Sequence, residues 1–529
     1  MLRKELIGAL LAVLGGAMAP LCTAATRVDV HTGKLGRVSS TTLPARLNLG
    51  SGNLYAAADR LGTVRRTVKT REQQLYKGVP VYGRSLVVER DTAGNVLTAR
   101  GAAERDIARD LATVTPRLSA PQAQAKLQAK LGQQRLAVSN VQSKLFVYPQ
   151  TKGAAKLVYR ASYLVTVHGQ PSRPTAIVDA NTGKVLKQWE GLTYGRRSSP
   201  QPAPVDVLAN GMGGNPVTGL YAYDNSGPGR ELLAVQRIGN VCYTRNDNVA
   251  TYNLAGSQGQ RITLWSFGCG GSDPSRWTSS GDSINGAASP INDAHHFGGV
   301  VHDMYSTWFG AAPLRNADGS PMQLVMMAHF GSNYENAFWD GSEMVFGDGD
   351  RYFYPFVVLD ITGHEISHGF TEQHAGLEYT GQSGGMNEAF SDMAGEAVKY
   401  FDRGRNDFMT GAEIVKPDTI PLLGMAALRD MCTPSNDGAS IDNANQYTSS
   451  LDVHYSSGVY NRAFCTLAKT HGWNTRKAFE VFHDANALYW TPTETFDGGA
   501  CGVEQAATDR GYATADVVAA FTAVGVTCR

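Results

Sequence analysis

The chain lacks a dominant charge of either sign. Its 529 residues carry 48 Lys and Arg against 47 Asp and Glu, a net charge of +1. A polyanion such as nucleic acid therefore has no electrostatic basis as a partner. Beyond its first residues the chain also lacks any apolar run long enough to span a membrane. No internal repeat is evident, so nothing suggests a repeat architecture. Cysteine is absent between Cys22 and Cys242, so disulfides cannot staple the first two hundred residues of a processed chain. Charged residues are few for a disordered protein: 18%, against 42% hydrophobic, a balance that predicts a filled core. The length is too great for one ordinary domain and suggests roughly three or four. What is abundant is glycine, 58 residues, concentrated in the second half, where turns and long loops are expected.

The N-terminus reads as an export signal. Met1-Leu2-Arg3-Lys4 is positive, Ile7 to Leu21 is apolar and short, and Thr23-Ala24-Ala25 offers a small-residue exit. Cys22 follows Leu21, which is too large for the usual lipidation site, so ordinary cleavage near Ala25 is expected and with it a secreted protein. The remaining cysteines, Cys242, Cys269, Cys432, Cys465, Cys501 and Cys528, are even in number, which reads as disulfides in an exported chain. Residue spacing alone leaves their pairing open.

Three regions follow. In the first, Pro80 to Glu89 alternates, Asp91-Thr92-Ala93-Gly94-Asn95 turns, and Val96-Leu97-Thr98-Ala99 returns, a hairpin signal. Residues 120–132 predict a helix started by Ser119 or Pro121. Strands are expected at Leu157 to Arg160, Ser162 to Val167, Thr175 to Asp179 and Lys184 to Leu186. Arg196 to Pro204 is polar and proline-rich, a linker. The expected organisation is a signal peptide at 1–25, two α+β units at 26–115 and 116–195, a linker at 196–209, and a third region thereafter that holds all the chemical motifs.

The central motif is His364-Glu365-Ile366-Ser367-His368. Residues four apart in a helix share a face, so both imidazoles can reach one metal ion, with Glu365 beside them but not bound to it. A second helical pattern, Gly384 to Glu396, places Glu388 and Asp392 on one face. A catalytic zinc takes three protein ligands and keeps a fourth position open; Glu388 supplies the third. Asp392 can accept the remaining ring N–H of a ligand histidine and fix its tautomer. His295, His296, His302, His329 and His374 lack such spacing and read as structural.

With these motifs the chain resembles the thermolysin family, whose His₂Glu site is the type case of such a centre. Within that family it is most similar to the secreted elastases of the pseudolysin and vibriolysin type. The resemblance rests on Asn336-Ala337-Phe338-Trp339-Asp340-Gly341, the His364–His368 motif, Gly376-Leu377-Glu378-Tyr379, Asn387-Glu388-Ala389-Phe390-Ser391-Asp392 and Asp452-Val453-His454-Tyr455-Ser456-Ser457-Gly458. It implies an α+β, two-lobed peptidase: a β-rich lobe at 210–360, then a helical lobe at 361–529 that includes the zinc helix. The two N-terminal units become propeptide modules that aid folding and inhibit.

The resemblance also implies roles. His364, His368 and Glu388 would bind one zinc, and Glu365 would take a proton from the attacking water and pass it to the leaving amine. Tyr379 and His454 would stabilise the oxyanion, with Asp452 orienting His454. Asn336 and the Ala337 backbone would hold the substrate as an added strand, and Arg429 would grip a substrate carbonyl. Phe356, Ile361 and Leu428 would line an apolar pocket, so cleavage is expected before bulky apolar residues. Asp360, Glu396, Asp407 and the Met409 carbonyl match calcium ligands, although Lys399 stands where the family has a carboxylate. Cys242 with Cys269 and Cys501 with Cys528 match family bridges; Cys432 and Cys465 both stand where relatives lack cysteine, and their joint presence suggests a third. The expected protein is a monomeric zinc endopeptidase that cuts its own precursor near residues 196 to 209 and acts on protein and peptide substrates. A zinc aminopeptidase and a non-enzymatic binding protein of the same fold are the rival readings.

Overall fold

The structure, a computed structural model, describes residues 24–62, 67–150, 153–167, 170–191, 205–259, 262–271, 273–316 and 318–529. Nearly all of the expected signal peptide, Cys22 and the linker Arg196 to Pro204 lie outside the described residues.

The N-terminal region forms an 11-stranded sheet. Its first half contains β1 (Thr26–Thr32), β2 (Asn53–Gly62), β3 (Val68–Tyr76), β4 (Val79–Arg90) and β5 (Asn95–Arg105), all paired antiparallel. The expected hairpin is β4–β5. Asp91 ties its turn by accepting from the Ala93 and Asn95 N–H groups at 2.9 and 2.8 Å. Helix α1 (Ala120–Lys130) opens with a reciprocal cap between Ser119 and Gln122, which satisfies two backbone donors that the first turn leaves exposed. The second half adds β6 (Val138–Tyr148), β7 (Lys156–Val167), β8 (Pro174–Asp179) and β9 (Val185–Glu190). The two halves have separate cores but one sheet, joined where Val81 of β4 faces Val147 of β6.

Residues 205–209, expected in the linker, instead begin β10 (Val205–Gly213), which pairs with Leu233–Ile238. Their backbone groups are committed to a ladder, so a flexible tether cannot extend this far. A five-stranded sheet follows. It includes β11 (Val249–Asn253), β12 (Leu324–Phe330), β13 (Ala337–Trp339) and β14 (Glu343–Gly347), with β13 at its edge. This strand-rich lobe also contains a 20-residue helix, α2 (Pro290–Phe309), capped by the Ser289 hydroxyl. Its Ala294, Phe297, Val301, Met304 and Tyr305 recur at helical spacing and join the main core.

The C-terminal lobe is helical and built around α3 (Leu359–Gln373) and α4 (Gly381–Arg403). Beneath them lie Phe390, Phe464, Phe479, Phe482 and Trp490, all fully buried. Each such side chain contributes roughly 1.5–3 kcal/mol by leaving water. Two glycines let α3 and α4 approach. A Cβ on Gly395 would sit 2.6 Å from the Asp360 carbonyl oxygen, and one on Gly363 would sit 3.2 Å from the Gly395 Cα. The doublet Gly384–Gly385 does the same for the short helix α5 (Val453–Ser456): added Cβ atoms would meet Val453 and Ser456 at 2.4 Å. These contacts set the spacing of everything in the cleft. Disulfides join Cys242 to Cys269, Cys432 to Cys465 and Cys501 to Cys528, with Cα separations of 5.6, 5.3 and 4.7 Å.

Candidate metal centre

Helix α3 presents His364 and His368 one turn apart, and α4 presents Glu388 to them. The two Nε2 atoms are 3.0 Å apart; Glu388 Oε2 lies 3.6 Å from His364 Nε2 and Glu388 Oε1 lies 3.4 Å from His368 Nε2. Metal bonds of about 2.0–2.1 Å in tetrahedral geometry require ligand atoms about 3.3 Å apart, so this triangle fits a zinc ion. Glu388 Oε2 is buried and has no hydrogen-bond partner, a costly state unless a cation meets it. Among the described residues this is the one group of three His, Cys, Asp or Glu side chains able to share an ion.

The electrostatics agree. Burial opposes ionisation of Glu388, yet His454 and His368 hold it well below the usual carboxylate range. Burial also disfavours charge on His368, but Glu388 and Glu365 outweigh it and lift its pKa to about 9. A point that attracts a proton this strongly attracts a metal cation for the same reason. Glu365 is buried, which raises its pKa despite the neighbouring imidazoles. That is the direction a general base near neutrality needs.

The outer partners fix the imidazoles. His364 Nδ1 lies 2.9 Å from Asp392 Oδ1. Burial alone would raise Asp392, but the Arg429 guanidinium and His364 keep it well below its ordinary range. His368 Nδ1 lies 2.8 Å from Asn387 Oδ1 and 3.1 Å from Ser391 Oγ. These two were not expected. The available signal was their four-residue spacing, which parallels that of Glu388 and Asp392 one position along α4.

The Tyr379 hydroxyl donates to Glu388 Oε1 and lies 3.3 Å from His454 Nε2. Burial and Glu388 push its pKa well up, so it stays a donor. Asp452 caps α5 and lies 2.7 Å from His454 Nδ1, fixing that ring at the cleft edge. Arg429 grips Asp392 through two bonds of 2.7 and 2.6 Å and also faces the cavity.

His364, Glu365, His368, Glu388, Tyr379 and His454 line one cavity of about 300 Å³. Asn336, Ala337, Phe356, Ile361 and Leu428 line it too, the last three forming an apolar wall. Ala337 belongs to β13, the edge strand, where an extended peptide could pair. The N-terminal region enters the same space: Arg160, Arg173, Trp189, Glu190 and Gly191 are part of its lining.

The residues expected to hold calcium surround a cation of the chain itself. Asp360, Glu396 and Asp407 do converge, but around Lys399. Its Nζ lies 3.5 Å from Asp360 Oδ2 and 3.0 Å from Glu396 Oε1, and it is ion-paired with Asp407. The oxygens of Asp360 and Glu396 are engaged elsewhere too: Asp360 accepts from the Gly411 and Ile361 N–H groups, and Glu396 from Asn406 and the Phe408 N–H. Met409 is held in a two-residue strand opposite Asp430. Calcium needs six to eight oxygens at about 2.3–2.6 Å, and an ammonium already stands among these. The donor set does not fit it.

Comparison with known proteins bears on this geometry. The thermolysin metallopeptidase catalytic domain matches residues 219–372, the thermolysin metallopeptidase alpha-helical domain residues 375–526, and the fungalysin/thermolysin propeptide motif residues 67–103. The hemagglutinin/proteinase of Vibrio cholerae is 46% identical over 464 residues, 87% of this chain and 71% of that one. The neutral protease of Vibrio proteolyticus is 43% identical with the same coverages. The zinc metalloproteinase MspA of Legionella longbeachae is 39% identical and matches 93% of both chains. A solved precursor of protealysin from Serratia proteamaculans covers 54% of this chain and 89% of its own, at 26% identity and a TM-score of 0.45.

Proposed function

The chain belongs to the thermolysin family and is a zinc metalloprotease carrying a propeptide motif; from that premise we propose that it is a secreted endopeptidase made as a self-processing precursor. The observation that carries the reading is the convergence of His364, His368 and Glu388: the two Nε2 atoms are 3.0 Å apart, Glu388 Oε1 lies 3.4 Å from His368 and Oε2 3.6 Å from His364, and Oε2 is buried with no hydrogen-bond partner.

These three residues hold the zinc, and the zinc when bound supplies the Lewis acidity that readies a water for attack. Glu365 takes the water's proton and delivers it to the departing amine. Tyr379, kept protonated, and His454, oriented by Asp452, donate to the oxyanion as it forms. Asp392, Asn387 and Ser391 are positioning residues for the two histidines. The substrate backbone pairs with β13 at Ala337 and with Asn336 just before it. Arg429, braced on Asp392, contacts a carbonyl after the cut. The wall of Phe356, Ile361 and Leu428 receives the residue after the bond, which favours Leu or Phe there.

Residues 26–115 and 116–195 act as propeptide modules, 210–360 and 361–529 as the two lobes. The region up to Gly191 docks in the cleft and excludes substrate, so the precursor is inactive until it is cut before Val205, where β10 begins. No helix among the described residues is long and apolar enough to cross a membrane. The catalytic ion is zinc; at the separate site expected for calcium, Lys399 stands among the carboxylates. Metal analysis of the matured protein, with activity on an end-blocked peptide before and after chelation, tests this reading. One zinc per chain and cleavage abolished by chelation are expected. Failure on blocked peptides with activity on free N-termini would favour the aminopeptidase.

A further inference from the structure

The peptidase side of the cavity contributes one carboxylate that the reaction does not use. Glu372 lies on α3, one turn beyond His368, and lines the cleft with it. Four contacts account for its setting. The Arg173 guanidinium donates to both carboxylate oxygens at 3.4 Å, Arg160 Nη2 lies 3.6 Å away, and the Trp339 indole N–H donates at 3.3 Å. Both cations belong to the N-terminal region, whereas Trp339 belongs to the peptidase. The carboxylate therefore keeps its wall but loses its cations when that region leaves. Burial works against its charge, and the two arginines are what outweigh burial.

Its place along α3 says what replaces them. Ile361, His364, Glu365, His368 and Glu372 fall on one face and all line the cavity. At about 1.5 Å per residue, Ile361 lies about 7 Å to one side of the midpoint of the two histidines and Glu372 about 9 Å to the other. Ile361 belongs to the pocket for the residue after the cut, so Glu372 faces the residues before it. A strand advances about 3.3 Å per residue, which puts Glu372 two or three residues upstream of the bond.

We propose that Glu372 is a specificity-determining residue which, in the matured enzyme, receives an arginine or lysine side chain two or three residues before the cut. The propeptide arginines occupy this subsite in the precursor. The proposal rests on the endopeptidase reading above, and its test separates the two. The full chain is expressed, allowed to mature and assayed on end-blocked peptides with Leu after the cut. Arg, citrulline or Glu stands at the second or third position before it. Citrulline keeps the shape of Arg without its charge. In the native enzyme kcat/KM should be about five- to tenfold higher for Arg than for citrulline, the effect of one charge-assisted bond in a partly open cleft. The gap should close in about 1 M salt, where the Debye length falls to about 3 Å, and in Glu372→Gln. Equal rates for Arg and citrulline, with cleavage otherwise intact, would overturn the proposal alone. Cleavage of none of the blocked peptides would overturn the endopeptidase reading and this proposal with it. The native-enzyme comparison stands even if the variant does not fold.

Discussion

Removing the ammonium at Lys399 tests the account of the carboxylate cluster most sharply. The side chains of Lys399, Asp360 and Glu396 are only 3%, 1% and 0% exposed, so the pairing is deeply buried. Replacing Lys399 with Met leaves these carboxylates, and the half-exposed Asp407, without a counter-charge. Breaking a buried ion pair from one side costs roughly 3–5 kcal/mol. At about 2–4 °C per kcal/mol in a domain above 150 residues, the unfolding midpoint should fall by roughly 10 °C. The loss should grow between pH 6 and 8. Burial raises Glu396 to about 7 even beside Lys399, which lowers it, so in the variant protonation relieves the cluster below that pH and progressively less above it. A second variant, Lys399→Glu, adds a carboxylate instead and should make the cluster a calcium site. Calcium at a hundred times its dissociation constant would then return about 2.7 kcal/mol. The assay is thermal unfolding of the matured protein with and without added calcium. The native protein should not respond, Lys399→Met should be destabilised in both conditions, and Lys399→Glu should be rescued by calcium. A native midpoint that rises several degrees with calcium, or a Lys399→Met protein as stable as the native one, would refute the reasoning.

Glu365→Gln should lower kcat by about 10²–10⁴-fold while leaving bound zinc unchanged, and the uncut precursor should accumulate on a gel. Gly395→Ala should destabilise by roughly 1–3 kcal/mol through overpacking against Asp360. By forcing α3 and α4 apart it should also weaken zinc retention, measured as metal content after dialysis. His329 lies 2.8 Å from Asp348 and 3.5 Å from Asp282. Burial opposes its charge, but the two carboxylates raise its pKa to about 9. A pKa raised on folding adds stability that is complete below about 6.5 and lost as pH rises through about 9. The amount is on the order of 3 kcal/mol. Denaturant titrations should therefore show the native protein losing stability between pH 7 and 10, with His329→Gln flat over that range.

Short-range regularities were legible from the residues alone. The four-residue spacings His364–His368 and Glu388–Asp392 are properties of a helix, and the hairpin around Asp91 and the cap at Ser119 are decided by neighbours within five positions. Each depends on local backbone geometry, which does not need the rest of the molecule. Other features depend on surfaces far apart in the chain. Whether Glu388 comes within bonding range of the histidines rests on the contact of Gly363 with Gly395. The cluster around Lys399 is set by the packing of α3, α4 and the segment after it, which turned an expected calcium site into an internal ion pair. Arg173 meets Glu372 across 199 residues, and Cys432 meets Cys465 across 33. Composition cannot name such partners, because many pairings are chemically equivalent along the chain and only packing, which permits one close approach and forbids the others, selects among them.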